Sequence, residues 1–197
     1  MTRKLFAIAV LITLLAALSL GTVAQTLRAP NYISNEGFEA GLTDWTRANQ
    51  KGDKVVCTGD DNFQAYLGDC AFLFKASTGD KASLKAVATS AFVTDFNAAL
   101  QSANATVSFG FVRYSESAGT RLITKLIVSI SDGNRVVRKI VTTGGSAPDI
   151  RGFNWASGER QVEFSQNLVI TKARLKFIDK SSSGKQWLDS IQLLIVS

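Results

Sequence analysis

Over much of the stretch from Thr106 to Val196 the chain alternates apolar and polar residues, the period of two that a half-buried β-strand requires. Thr106–Tyr114, Arg121–Ile130 and Arg135–Val141 are rich in β-branched and aromatic residues and predict strands. Between the last two stands Ser131-Asp132-Gly133-Asn134, whose Asp-Gly step predicts a hairpin turn. Further strands are expected over Gln161–Phe164, Leu168–Ile178 and Trp187–Val196. Turn clusters separate them at Thr143-Gly144-Gly145-Ser146 and Ser181-Ser182-Ser183-Gly184. Only Ala91–Ala103 has the spacing of a short helix. Roughly eight to ten short strands at such intervals predict an all-β fold, a two-sheet antiparallel β-sandwich or jelly roll. No internal repeat or long linker interrupts the pattern, and 197 residues suit one domain behind a leading segment.

That leading segment opens Met1-Thr2-Arg3-Lys4, runs uncharged and apolar from Leu5 to Leu20, and ends Gly21-Thr22-Val23-Ala24. A basic start, an apolar run and small residues at its end predict a secretory signal peptide over 1–24, cleaved after Ala24. Residues 25–197 then form the exported domain, secreted or held at the cell surface. The alternative is a retained anchor, since Leu5–Ala24 is just long enough to span a bilayer. Export makes Cys57 and Cys70, the only two cysteines, a disulfide pair that staples a loop between neighbouring strands.

Composition removes much chemistry. The histidine count is 0, which excludes Ser-His-Asp and Cys-His catalysis and every His-ligated metal. Two cysteines cannot build a four-thiolate zinc site. No G-x-S-x-G and no phosphate-cradling glycine loop is present, and the acids are scattered apart from Asp60, Asp61 and Asp69 in the cysteine loop. An enzyme is therefore not predicted. The net charge of +6 includes two basic residues of the leading segment, and what remains is ordinary surface rather than a nucleic-acid footprint. Within Thr171–Ile178, Lys172, Arg174 and Lys176 face one way and Ala173, Leu175 and Phe177 the other. Such a basic stripe meets an acidic polymer or membrane surface, or else guards a strand against edge pairing. The second reading is preferred.

Two ends of the domain carry a resemblance. Ser34-Asn35-Glu36-Gly37-Phe38-Glu39, then Gly41-Leu42 and Trp45, stand near its start, and Ser183-Gly184 with Trp187-Leu188-Asp189-Ser190-Ile191-Gln192-Leu193 near its end. Together these are similar to the opening and closing motifs of CenC-like carbohydrate-binding modules, jelly rolls of the galactose-binding-like group. The resemblance implies Phe38 and Trp45 as core anchors, with Gly37 and Gly41 allowing tight turns beside them. It also implies a structural calcium near the termini, to which Glu39 and Asp189 offer carboxylate oxygens; the alternative is that both acids bond backbone amides.

A sugar site needs flat rings to stack on pyranose faces and polar groups to bond hydroxyls. Trp45 and Trp187 lie inside the matched motifs and are read as buried. Tyr114 is expected on the face opposite Phe109, Phe111 and Arg113, and Trp155 in an exposed loop-like stretch. Phe63 and Tyr66 in the cysteine loop are candidates for a rim, and Arg113 or Arg121 for hydroxyl donors. The ligand-binding set is thus Tyr114, Trp155 and Arg113. The expected function is that of a secreted, non-catalytic module with a polysaccharide or cell-surface glycan as partner, or alternatively a structural or adhesive surface subunit. No nucleic acid is expected, and no membrane unless the leading segment is retained.

Overall fold

A computed structural model describes residues 29–48, 52–60, 63–75, 82–144 and 155–196. The leading segment, and with it the cleavage expected after Ala24, lies outside the described residues. Among those described, no helix is long and apolar enough to cross a membrane.

Ten strands and one helix follow in order: β1 (Trp45–Ala48), β2 (Lys54–Cys57), β3 (Cys70–Lys75), β4 (Ser83–Val87), α1 (Ser90–Ser102), β5 (Ala105–Ser115), β6 (Arg121–Ile130), β7 (Arg135–Thr143), β8 (Ala156–Phe164), β9 (Ile170–Asp179) and β10 (Lys185–Val196). They form two five-stranded antiparallel sheets, ordered β1-β4-β9-β6-β7 and β2-β3-β10-β5-β8. This is the all-β sandwich that the alternation predicts. The Asp-Gly hairpin forms as expected, with Gly133 at φ +88° and Ser129 paired with Arg135. The helix differs from its predicted span by one residue at each end.

The core between the sheets is built largely from phenylalanine. Phe38, Phe72, Phe74, Phe109 and Phe177 are fully buried there, and Trp45 packs on Phe38 at 4.9 Å between ring centroids. Both expected anchors are therefore in place. In the opening motif Asn35 (φ 51°), Phe38 (φ 62°) and Gly41 (φ 64°) are left-handed, so Gly41 makes its expected turn while Gly37 does not; the Phe38 amide bonds Asn35 O and its carbonyl accepts from Gly41 N. The helix presents Phe92, Phe96 and Leu100, spaced by four, to the core. Phe96 meets Phe164 edge-on at 5.3 Å, so the helix seals one end of the sandwich. Tyr32 stacks edge-on against Phe92 and donates to Asp95 Oδ2 at 2.9 Å. Burial and that acceptor push its phenol up to about 12.

Cys57 and Cys70 are bonded, as expected, and face each other directly in the β2–β3 register with Cα atoms 3.9 Å apart. Opening this bond, by Cys57→Ser with Cys70→Ser, should cost about 3 kcal/mol on the chain-entropy argument for a loop of this length. Thermal unfolding would show it as a lower midpoint, with the far-ultraviolet β-sheet signal retained at room temperature.

Candidate ligand-binding site

The cysteine loop folds back over the outer face of the second sheet, where a second apolar cluster lies apart from the main core. It comprises Val56, Phe63, Ala71, Leu73, Tyr114 and Trp187, with Ala65 and Trp155 packed against it. The register explains the row: Leu73 pairs with Trp187 and Trp187 with Tyr114, so three neighbouring strands aim large side chains the same way. Trp155 stands just before β8, whose Ala156 pairs with Arg113. Its ring therefore lies beyond Tyr114, at 6.1 Å. Phe63 comes down from the loop and stacks on Trp187 at 6.2 Å with an interplanar angle of 11°. Tyr66, 55% exposed, tilts against Trp155 at 6.1 Å.

These rings border a cavity of about 150 Å³ lined by Val56, Asp60, Phe63, Leu73, Tyr114, Glu116, Lys185 and Trp187. A volume of roughly that size holds one benzene-sized ring, and here the lining mixes apolar side chains with Asp60, Glu116 and Lys185. Polar groups stand at its rim. Lys185 Nζ lies 3.5 Å from Glu116 and 5.9 Å from the Trp187 ring centre, and Asp60 Oδ2 accepts from Cys57 N at 3.1 Å. Burial, with Glu116 adding to it, raises the Tyr114 phenol above its ordinary value, so it stays protonated. The site offers flat apolar surface with a few charged groups at one side.

Two carboxylates, the buried Asp189 and the exposed Glu39, hold the loop over this face. Asp189 Oδ2 accepts from Tyr66 N at 2.9 Å and Leu67 N at 3.0 Å, and Oδ1 from Ser190 N. Glu39 Oε1 accepts from Asp69 N at 3.0 Å and Cys70 N at 3.1 Å. A β-bulge between Asp189 and Gln192, with Ser190 at φ 49°, turns the Asp189 carboxyl toward the loop. Gly68, at φ +68°, is needed because a Cβ there would strike the Glu39 carboxylate. The N-terminal segment docks at the same bulge: Ile191 N donates to Glu36 O at 3.1 Å, and Asn31 bonds both Ile191 O and Leu193 N.

Of the residues expected from sequence, Tyr114 and Trp155 come together, and so do Glu39 and Asp189. Arg113 does not join the aromatic face. Its parity on β5 turns it inward, where it is 7% exposed and donates to Gln186 Oε1 at 3.1 Å and Gly144 O at 2.8 Å. Gln186 in turn donates to Asp179 Oδ1 at 2.7 Å, so Arg113 belongs to a buried polar network at one end of the sandwich. Desolvation lowers the Arg113 pKa, with nearby Asp179 opposing that fall. Glu39 and Asp189 act here as amide acceptors, and among the described residues no group of three or more potential metal-ligating side chains forms. Trp187 is buried as expected, and its burial is in the second cluster on the outer face of the second sheet. The signal was the inward position of Leu188 next to it.

Neither a protein-family model nor a curated relative matches this chain. Solved structures do. A family 61 carbohydrate-binding module, TmCBM61, determined with β-1,4-galactotriose, is 20% identical with a TM-score of 0.53, over 84% of this chain and 99% of that one. A family 16 carbohydrate-binding module is 17% identical with a TM-score of 0.55, over 83% and 99%. The enzymatically active domain of the bacteriophage CBA120 tailspike protein 4 is 14% identical with a TM-score of 0.54, over 84% of this chain but 21% of that one. At these identities the likeness is one of fold: the chain shares a two-sheet β-sandwich with solved carbohydrate-binding modules.

Burial pushes the Asp189 carboxyl above its ordinary 3.8, against the lowering by the Leu67, Ser190 and Tyr66 amides and with Glu39 adding to the rise. The folded state therefore binds this proton more tightly than the unfolded chain does. The stabilisation belonging to the group is fully present in acid and is lost as pH rises through that window. The parent should accordingly exceed Asp189→Asn by most at low pH, the margin shrinking from 3.8 upward and then levelling, as read by paired thermal melts across pH.

Proposed function

We propose that this protein is a non-catalytic carbohydrate-binding module, exported behind its leading segment, that takes a polysaccharide on the aromatic face of its second sheet. The observation that carries the reading is the Trp187–Tyr114–Trp155 row, with Phe63 and Tyr66 folded over it beside a ring-sized cavity. Exposed and half-exposed rings at Tyr66 and Trp155 supply stacking surface for pyranose faces. Glu116, Lys185 and Asp60 supply hydroxyl partners at the rim. Binding without hydrolysis fits the two carboxylates here, since Asp60 is engaged by Cys57 N and Glu116 by Lys185. A glycosidase instead needs one carboxylic acid and one carboxylate placed across the scissile bond. The shared fold with carbohydrate-binding modules supports the same class of ligand.

Calcium at Glu39 and Asp189 is the finer part of this proposal. Two carboxylates held side by side favour a cation, and backbone N–H donors to both already offset some of their charge. A fall in melting temperature on chelation, restored by calcium, would support the ion; an unchanged melt would remove it.

The decisive experiment is retention of the purified protein on a panel of neutral polysaccharides, alongside Trp155→Ala and Tyr66→Ala. One neutral polymer should retain the parent, and Trp155→Ala should weaken that retention by about tenfold while leaving the melt nearly unchanged. Equal retention of parent and both variants would remove the assignment of the face. No retention of a folded parent on any polymer would favour a structural or adhesive surface subunit instead.

A further inference from the structure

The outer face of the first sheet carries a charge pattern that the aromatic site does not use. Register sets Lys85 of β4 opposite Lys176 of β9, Lys176 opposite Lys125 of β6, and Lys125 opposite Lys139 of β7. Four lysines thus stand in one line across four adjacent strands, with backbones about 4.8 Å apart. On the same face Arg174 and Lys172 continue along β9, and Lys172 shares a second line with Ser129 and Arg135. None of these seven cations has an ion-pair partner among the described residues, where Lys185–Glu116 is the ion pair formed, on the other sheet. The outward residues of β1, β4, β9, β6 and β7 include no Asp or Glu.

Like charges set directly opposite each other destabilise a sheet. Protection against edge pairing would account for cations on edge strands. It does not account for these, because β9 is the central strand of five and β4 and β6 flank it, while the edges are β1 and β7. The sequence expectation of edge protection for Lys172, Arg174 and Lys176 is therefore replaced. A repulsive line kept on interior strands is the electrostatic complement of an anionic partner.

We propose that this face binds a linear acidic polysaccharide, laid across the strands with its carboxylate or sulfate groups along Lys85, Lys176, Lys125 and Lys139. The strand spacing of about 4.8 Å is comparable to the length of one sugar ring, so a polymer with one charge per residue stays in step with the lysines. On β6 and β7 the lines on either side are aliphatic, Ile127 and Val137 on the one that Arg174 continues on β9 and Ile123 and Val141 on the other, and the C–H faces of sugars can pack against them. No aromatic residue lies on this face among those described. Membrane-surface anchoring draws on Trp or Phe to enter the headgroup region, and single-stranded nucleic acid on rings for base stacking, so both partners fit it less well. The inference stands apart from the aromatic site and does not rest on it.

The test compares binding of the full exported protein to immobilised polygalacturonate and heparin, to phosphatidylserine vesicles and to duplex DNA, at low and at high salt. Expected is binding to an acidic glycan at low salt that is lost as salt rises, and at least about tenfold weaker binding by Lys125→Gln with Lys176→Gln. That variant should also melt above the parent at low salt, because repulsion has been relieved. A second pair, Lys85→Gln with Lys139→Gln, should weaken binding as well, and Trp155→Ala should leave it unchanged. Absent binding of the folded parent to either glycan, tighter binding to vesicles or DNA, or indifference to both lysine pairs would each overturn the proposal. Failure of Trp155→Ala to affect neutral polymers would bear only on the aromatic face.

Discussion

The aromatic face proposed as a binding surface hangs on one buried carboxylate. Asp189 sits at a bulge in β10, fully withdrawn from solvent, and collects the amides of Tyr66 and Leu67 from a loop more than a hundred residues away in sequence. Burying a carboxylate without such donors would be strongly unfavourable, so the loop and the bulge stabilise each other. Glu39 does the same for the loop's last residues, and the Cys57–Cys70 bond fixes its base. With three anchors in place, Phe63 has little choice but to lie on Trp187. The aromatic face is thus a tertiary construction in which β10 supplies both the floor and the tether.

The fold was largely legible from sequence because alternation, turn residues and one amphipathic stretch report local physics directly. β6 has the predicted bounds, and β7 and the intervening turn agree closely. The site was legible only in part. Tyr114 and Trp155 were identifiable by parity and by loop context, but their meeting depends on β5 pairing with β8, which no local pattern encodes. Arg113 shows the converse. Its place beside Tyr114 in sequence invited a shared role, whereas strand parity sends the two to opposite faces and gives Arg113 a buried network with Gln186 and Asp179. The lysine line was invisible for the same reason: Lys85, Lys125, Lys139 and Lys176 are scattered along the chain and become one feature only through register.

The two outer faces differ in how they handle their side chains. On the second sheet, rings are sheltered beneath a covalently closed loop, and shape carries the chemistry. On the first, cations stand in register across four strands, and charge distinguishes the face. Substitutions on the first should act on rates of encounter and on salt response, and substitutions on the second on lifetime of a complex.

The Cys57–Cys70 bond ties this binding surface to its surroundings. Cys70 is buried in the sandwich core and Cys57 packs against it, so the bond joins that core to the base of the loop. The loop that starts there carries Phe63 onto Trp187 and Tyr66 onto Trp155. A change at either cysteine is therefore felt by the core and by the aromatic face together.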